Sequence, residues 1–328
     1  MRYRKLPRTD LDPSVVCLGT MYYGSRSSQD EAFRMLDCFL QQGGNFIDTA
    51  YAYADWACDT PGISERTLGA WLKSRDCRDR VILATKGGAA KIGVQEYYRP
   101  MLRPEEIRRQ LSESLERLGV DRIDVYWLHR DEPRVPVGEL LDVLHEEVQQ
   151  GRIRYYGASN WTTPRLMHAA EHAAGIGAVG FVATQNMWSL AHPNPGVPPG
   201  PGQVFMDASH IAYQRSEDLA AVPYTAQADG FFSGKYGRGI TDSGKAQRLA
   251  YLYYNAESFA RLERAKEMAA AKDVSTNQIA VAYLINQDFP VYPIAGCRTP
   301  EQLEDSCAAA EIRLTPDEVA YLDSGTTD

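Results

Sequence analysis

Four ionisable side chains fall where apolar runs of this chain end. Asp48 closes "NFID", Lys86 closes "VILATK", His129 closes "IDVYWLH", and Tyr53 follows Asp48 by five residues in "DTAYAY". Together they could move a proton. A phenol with an ordinary pKa near 10 donates poorly at neutral pH, and each unit by which a nearby cation lowers it corresponds to about 1.4 kcal/mol of phenolate stabilisation. Lys86 is the candidate cation, and Asp48 is the counter-charge that a buried ammonium needs. His129 is placed to hydrogen-bond a substrate oxygen. Such a set suits carbonyl reduction, in which hydride reaches carbon while oxygen takes the proton of Tyr53. Hydride requires a donor cofactor.

These side chains meet only if the segments carrying them are arranged around one mouth. Short β-type runs alternate with longer amphipathic stretches: "VVCLG", "NFID", "VILATK", "IDVYWLH", "IRYYGASN", "FVATQN", "AAVPYT" and "VYPIAG". Eight parallel strands of this kind close into a (β/α)8 barrel. Between them lie helix candidates such as "QDEAFRMLDCFLQQGG", "ISERTLGAWLKS", "RPEEIRRQLSESLERLGV" and "VGELLDVLHEEVQQG". Pro104 opens one helix, and Gly43, Gly119 and Gly151 end others. In one of them Ile107, Leu111, Leu115 and Leu118 form a stripe for packing on the sheet. Nearly every run ends in polar groups, which now include Ser159-Asn160, Gln185-Asn186 and Tyr224-Thr225. Taken singly, a strand-end Asp is commonly a cap, a Lys solvated and a His packed. Six polar endings on one C-terminal rim imply a site.

Composition narrows the class. With 328 residues and 44% hydrophobic content, the chain can bury one large core, and residues 1–328 show no linker, so one barrel domain is expected. The net charge is −8 with scattered Lys and Arg, which argues against nucleic-acid or anionic-membrane partners. The start "MRYRKLPRTD" has no apolar leader and no run is long enough for a membrane span, so a cytoplasmic protein is expected. Six scattered cysteines without a C-x-x-C pair indicate reduced thiols, and the sequon at Asn160 carries little weight without a secretory signal. No His or Cys pattern reads as zinc, although His168 and His172 are four apart.

The strings "YRKLPRTDLDPSVVCLGTMYYG", "IDTAYAY", "ATKGG", "DVYWLHRDEP", "GASNW" and "GCRTPEQLEDS" resemble the aldo-keto reductase family, in that family's order and over nearly the whole chain. The resemblance implies a TIM barrel capped at its base by an N-terminal β-hairpin, with long loops on the C-terminal face. It also implies a nicotinamide cofactor bound without a Rossmann domain, in keeping with the absence of any G-x-G-x-x-G; "GFFSGK" at 230–235 is one residue short of a P-loop. By motif, Asp48, Tyr53, Lys86 and His129 match the catalytic tetrad, with Tyr53 as general acid. Gly19, Thr20 and Met21, with Asp48, fall among the cofactor positions. Ser159, Asn160 and Gln185 match residues that hold the carboxamide, and Tyr224 matches the aromatic that stacks on the nicotinamide. "YTAQADGFFSGKY" resembles the phosphate-cradling "YSPLAxGxLTGKY", bringing in Thr225, Gln227, Ala228, Gly230 and Lys235. Its Ala226-Gln227 replaces Pro-Leu, which implies a differently shaped loop. Gly296, Arg298, Gln302, Asp305 and Ser306 match the adenosine half. Arg298 is placed for a 2′-phosphate, favouring NADPH/NADP+ over NADH. Ser306 departs from the usual Asn.

A small carbonyl compound is the expected partner, with keto-sugars or sugar-derived aldehydes as the class considered first; a homo-oligomer is left open. The Pro/Gly-rich segment from Met187 to His210 has the length and lack of periodicity of a functional or a disordered segment, and its prolines suit a semi-rigid rim wall. Aromatics gather in the rim segments at Tyr22, Tyr23, Trp56, Tyr97, Tyr98, Trp161 and Trp188. Tyr22, Trp56, Trp161 and Trp188 are the substrate-wall candidates, against the alternative that such rings only bury area. "RDEPRVP" after His129 reads either as a ladder for polar substrate hydroxyls or as Arg130, Asp131 and Glu132 locking one another in a surface network, and no role is assigned to it. Two rivals remain: a cofactor-binding regulatory subunit resembling potassium-channel β-subunits, and a metal-dependent barrel hydrolase.

Overall fold

The computed structural model describes residues 1–92, 96–239 and 243–326, with side chains described outside 90–99. Ten strands are named here in chain order: β1 (Cys17–Gly19), β2 (Phe46–Asp48), β3 (Ile82–Gly87), β4 (Ala89–Ile92), β5 (Glu96–Pro100), β6 (Ile123–Leu128), β7 (Ile153–Ser159), β8 (Phe181–Gln185), β9 (Ala220–Ala221) and β10 (Ile294–Ala295). Eight of them form one parallel sheet in the order β10-β1-β2-β3-β6-β7-β8-β9. A parallel bridge between Ala221 and Val291 joins the two ends of that sheet and closes it. Each of the eight apolar runs read from the sequence supplies one of these strands.

The antiparallel pair β4–β5 follows β3; it lies outside the barrel sheet and interrupts the simple alternation. Around the sheet stand α1 (Gln29–Gln41), α2 (Ile63–Arg75), α3 (Pro104–Leu118), α4 (Val137–Gln149), α5 (Thr163–Gly175) and α6 (Ala208–Ser216). They continue with α7 (Gly244–Tyr253), α8 (Ala256–Lys272), α9 (Thr276–Ile285), α10 (Pro300–Ala308) and α11 (Pro316–Ser324). Local chemistry sets their limits. Ser28 and Glu31 form a reciprocal cap on α1, Pro104 opens α3, and left-handed Gly119 ends it. Among the described residues no helix is long and apolar enough to cross a membrane.

Side chains alternate between two cores, as strand geometry requires. Phe46, Ile82, Ala84, Val125 and Trp127 fill the barrel interior, whereas Ile47, Leu83, Tyr126 and Leu128 pack outward beneath the helices. Leu6 and Leu11, brought together by antiparallel backbone bonds of the N-terminal segment, join the interior cluster and plug one end. Gly157 makes room for the largest interior ring, since a Cβ there would fall 2.3 Å from Trp127. The same alternation places Asp48, Lys86 and His129 on the inward parity.

Outside β3, Thr85 donates to the fully buried Glu65 of α2 (2.7 Å), which pairs with Arg117 of α3 (3.3 Å). Arg117 also donates to the Tyr51 carbonyl (3.1 Å) and lies 4.3 Å from the Tyr51 ring centroid. This buried network ties two helices to the strand carrying Lys86 and to the segment leading to Tyr53. Replacing Glu65 with Ala removes an acceptor from both Thr85 and Arg117, and should cost about 3 kcal/mol. The measurement is the urea midpoint at unchanged slope; a shift worth under about 0.5 kcal/mol, as for a surface site, would contradict the network's role.

Candidate active site

Asp48, Lys86 and His129 converge because three neighbouring strands end at one mouth with the same parity. Lys86 and Asp48 are each 1% exposed at the side chain and form an ion pair. The Lys86 ammonium also donates to the Thr49 carbonyl and to the Tyr53 hydroxyl, each at 2.8 Å. Gln185, from the end of β8, donates to the other carboxylate oxygen of Asp48 at 3.1 Å. Tyr53 reaches the pair because the chain beyond β2 keeps bonding to β3, Thr49 to Ala84 and Tyr51 to Lys86, before it turns at left-handed Ala54. The His129 ring meets the Tyr53 ring edge-on, with centroids 5.8 Å apart.

Burial dominates the electrostatics. It raises the Asp48 pKa and lowers that of Lys86, and in each case the partner's charge pulls back part of the shift. Burial, then the charges of Arg130 and Lys86, holds His129 well below an ordinary imidazole, so the ring is neutral. Tyr53 departs from the sequence expectation: its pKa lies well above the ordinary phenol value, through burial first and the Asp48 carboxylate second.

Further around the mouth, the buried Ser159 hydroxyl donates to the Gln185 carbonyl (2.8 Å). Asn160, at φ +62°, donates to the His129 carbonyl (3.2 Å) and accepts from the Tyr224 hydroxyl (2.7 Å) and the Val204 amide (3.1 Å). Thr20 bonds the Asp48 carbonyl through its amide and its hydroxyl, behind Gly19, while Met21 is exposed. Thr225, Ala228, Asp229 and Gly230 all have positive φ. Backbone turns of this kind open concavities of N–H groups that attract anions. Gln227 donates to Asn277 (3.2 Å) and Ser306 (2.9 Å) and accepts from the Gly296 amide (3.3 Å). Asp305 accepts from Asn277 and Gln278, and Gln302 accepts from the Arg298 amide.

Lys245 was not singled out in the sequence. Burial lowers its pKa, Asp229 opposes the shift, and the charges of Arg298 and Lys235 add to it. Lys245 reaches the left-handed turn, its Nζ 3.7 Å from where a Cβ on Gly230 would lie, and it feels the charges of Arg298 and Lys235, an arrangement that fits a phosphate-bearing ligand. Its signal was faint, because a Lys in a first helical turn is ordinarily solvated. A nicotinamide dinucleotide fits the donor set: amides and a hydroxyl at the barrel end, the Tyr224 ring beside them, and cations with a turn of amides farther out.

Of the aromatic candidates, Tyr22 and Trp56 form an edge-to-face pair, with centroids 6.2 Å apart, and both are half-buried near Tyr53. Trp161 is corrected: it is fully buried, 5.0 Å from the Phe181 ring and under the Arg165 guanidinium, in the layer between sheet and helices. The left-handed Asn160 before it turns the chain outward. Trp188 is likewise packed away from the mouth, stacked on Phe289 at 6.1 Å and edge-on to Tyr283, and Tyr23 is 2% exposed. The side chains of Tyr97 and Tyr98 lie outside those described. The charges after His129 take several partners. Arg130 turns inward, Asp131 pairs with Arg165 at 2.8 Å and Glu132 with Arg134 at 2.8 Å. Among the described residues no group of three His, Cys, Asp or Glu side chains could hold a metal ion.

Comparison with known proteins agrees with this geometry. Residues 15–326 match the aldo/keto reductase family. A norsolorinic acid reductase B of Aspergillus parasiticus is 30% identical, over 98% of this chain and 84% of that protein. Another, of Dothistroma septosporum, is 28% identical over 99% of this chain and 81% of its own. A solved glycerol dehydrogenase of Gluconobacter oxydans superposes with a TM-score of 0.80 at 24% identity, covering 98% of this chain and 94% of that one.

The electrostatics give a stability test. Asp48→Asn leaves the Lys86 ammonium buried without its counter-charge and should cost about 3–5 kcal/mol. Asp48→Asn combined with Lys86→Met removes both charges and should recover about 2 kcal/mol or more of that loss. Thermal unfolding of the single and double variants measures the difference; additive losses would contradict the balance of burial and attraction drawn here.

Proposed function

Since the chain belongs to the aldo/keto reductase family, a family of oxidoreductases, we propose that it reduces aldehydes or ketones to alcohols with NADPH, using Tyr53 as the general acid. The observation that carries this proposal is the Lys86 ammonium, which joins Asp48 and the Tyr53 hydroxyl at the inward end of the barrel. When bound, a reduced nicotinamide supplies hydride to the carbonyl carbon. The chain's own groups manage the oxygen. Tyr53, held protonated by burial, carries a proton to the oxygen as negative charge builds there, because a developing alkoxide is a far stronger base than a phenolate. The phenolate left behind lies against the Lys86 ammonium, which stabilises it once it exists. Neutral His129 faces the same space and orients the substrate oxygen through a ring nitrogen.

Ser159, Asn160 and Gln185 would hold the carboxamide end of the cofactor, with Tyr224 beside its ring. Thr225, Gln227, Ala228, Gly230, Lys235 and Lys245 would line the phosphates, and Gly296, Arg298, Gln302, Asp305 and Ser306 the adenosine half. Gly19, Thr20 and Met21 would border the nicotinamide from the β1 side. The preference for NADPH rests on Arg298 with Lys245 and Lys235 near it. Tyr22 and Trp56 would form the substrate wall.

Tyr53→Phe should lower kcat for carbonyl reduction by about 10²–10⁴-fold with little change in NADPH affinity measured by fluorescence titration. Wild-type turnover in that variant would remove Tyr53 from the acid role, and a wild-type protein that binds NADPH but turns over no member of a carbonyl panel would favour a regulatory subunit. Arg298→Ala should weaken NADPH by about tenfold, the equivalent of about 1.4 kcal/mol, and NADH by much less. Equal losses for both cofactors would show that Arg298 does not read the 2′-phosphate.

A further inference from the structure

Three arginines line one cavity beside the end of the barrel that Leu6 and Leu11 plug. Arg2 and Arg4 alternate with Tyr3 in an extended stretch. There the Arg4 amide donates to the Pro13 carbonyl (3.1 Å) and the Val15 amide to the Arg2 carbonyl (3.0 Å). Residues two apart on such a stretch point to one side. The cavity measures about 450 Å³, and Arg313, Val15, Asn286 and Gln287 line it together with Arg2 and Arg4. Backbone carbonyls hold two of the arginines. Arg2 donates through Nε to Ala310 and through Nη2 to Ile312 (3.1 Å), and Arg4 donates through Nη1 to Phe289 (3.1 Å). The Asn286 side chain, at the C-terminal end of α9, donates to the same Ile312 carbonyl at 3.0 Å. The N-terminal stretch, the end of α9 and the segment carrying Arg313 are thereby joined around one space.

Carbonyl acceptors fix these side chains without balancing their charge. Among the described residues no carboxylate lines the cavity. Glu311 stands nearby, but the amino group of Met1, at 2.6 Å, is the first cause that lowers its pKa, ahead of Arg2 and Arg313. The end of α9 adds roughly half a negative charge. Against three guanidinium groups that cannot shed their protons, these terms leave the cavity positive. Burial and then the charge of Arg313 lower the Arg2 pKa, Glu311 opposes them, and Arg4 lowers it further, as expected of like charges sharing one space. A phosphate monoester answers that imbalance. It carries about −1.5 to −2 at neutral pH on three acceptor oxygens, whereas a carboxylate brings a single charge and two oxygens. The volume also falls in the range of small-molecule sites, about 300–1,000 Å³.

We propose that this cavity at the base of the barrel binds a doubly charged phosphate group, free or carried by a small molecule, through Arg2, Arg4 and Arg313. Val15 and Ile285 offer an apolar edge to the part of the ligand that bears the phosphate. The site is separate from the phosphate region proposed for the dinucleotide, which belongs to the mouth at the other end of the barrel. Since Arg2 and Arg4 lie on the stretch that runs into the Leu6 plug, a bound phosphate also fastens that stretch to the segment of Arg313 and stabilises the fold by mass action.

The test is calorimetric titration of the full chain at physiological ionic strength, with and without saturating NADPH. The probes are orthophosphate, phenyl phosphate and phenyl sulfate, the last of which keeps the shape of the phosphate ester with a single charge. Phenyl phosphate should bind with a Kd below about 1 mM, and phenyl sulfate about tenfold more weakly or worse. Arg313 is exposed, so Arg313→Ala should leave folding and carbonyl reduction unchanged. It should weaken phenyl phosphate by about tenfold, the range of a hydrogen bond to a charged group, and Arg313→Glu should abolish binding. Orthophosphate as tight as phenyl phosphate would support a site that reads the phosphate alone, and weaker orthophosphate would support one that also uses the carrier. No binding of either phosphate, equal affinity for the sulfate ester, or full affinity in Arg313→Ala would overturn the proposal. Displacement by NADPH would overturn it too, by moving the phosphate to the dinucleotide site. If Arg313→Glu does not fold, Arg4→Gln takes its place: about tenfold weaker binding is expected, and unchanged affinity would overturn the assignment. None of these outcomes touches the reductase function.

Discussion

The site depends on one ammonium kept out of water. Lys86 has three donors, and the structure gives each an acceptor: the Asp48 carboxylate, the Thr49 carbonyl and the Tyr53 hydroxyl. The first balances its charge and the second fixes its position relative to the turn after β2. The third directs the remaining proton at the phenol, so Tyr53 has a defined place before any substrate arrives. Burial opposes both charges of the pair. The arrangement persists because Gln185 bonds the far side of the carboxylate and because the barrel around it is tightly packed.

What the barrel contributes is parity and register. Residues two apart on β2, β3 and β6 point inward, so Phe46 and Asp48, Ala84 and Lys86, and Trp127 and His129 differ only in height. Below, the interior is closed by apolar side chains and by Leu6 and Leu11 of the N-terminal segment. Above, the next inward residue on each strand no longer has a neighbour to pack on, and the polar group there belongs to the mouth. The outward residues are equally committed. Thr85 is occupied with Glu65 while Lys86 beside it faces the reaction, so the helical layer steadies the strand that carries the ammonium.

Much of this was legible in the chain because strands buried on both faces read as apolar runs, and a polar residue that ends such a run is conspicuous. All eight runs became barrel strands, and Asp48, Lys86, His129, Ser159, Asn160 and Gln185 stand at their ends. The β4–β5 hairpin was not read, since "AAKI" and "EYYRP" lack the apolar density that marked the others. Trp161 was misplaced because the step from inward to outward depends on the backbone of Asn160, whose positive φ leaves no mark in composition. Lys245 and Arg130 escaped for a related reason. A cation in a sequence looks solvated, and only the folded chain shows that one lies beside Arg298 and Lys235 and the other beneath Gly202. The acidification of Tyr53 expected from Lys86 is opposed first by burial of the phenol and then by the Asp48 carboxylate.

That balance also bears on how an acidic protein can serve anions. The chain carries a formal net charge of −8, which would repel the phosphates proposed for it if charge acted over the whole surface. Salt at physiological strength screens exposed charges beyond about 8 Å, so the groups near the mouth decide. There the cations are held in two places. Lys245 reaches the left-handed turn at Gly230 and feels the charges of Lys235 and Arg298, and Arg130 is buried beside His129, donating to its carbonyl. The Asp48–Lys86 pair between them is internally neutral, and the phenol and imidazole are uncharged. Phosphates of a bound dinucleotide would therefore find cations, while the reacting oxygen meets a region whose strong response is to the negative charge that reduction itself creates.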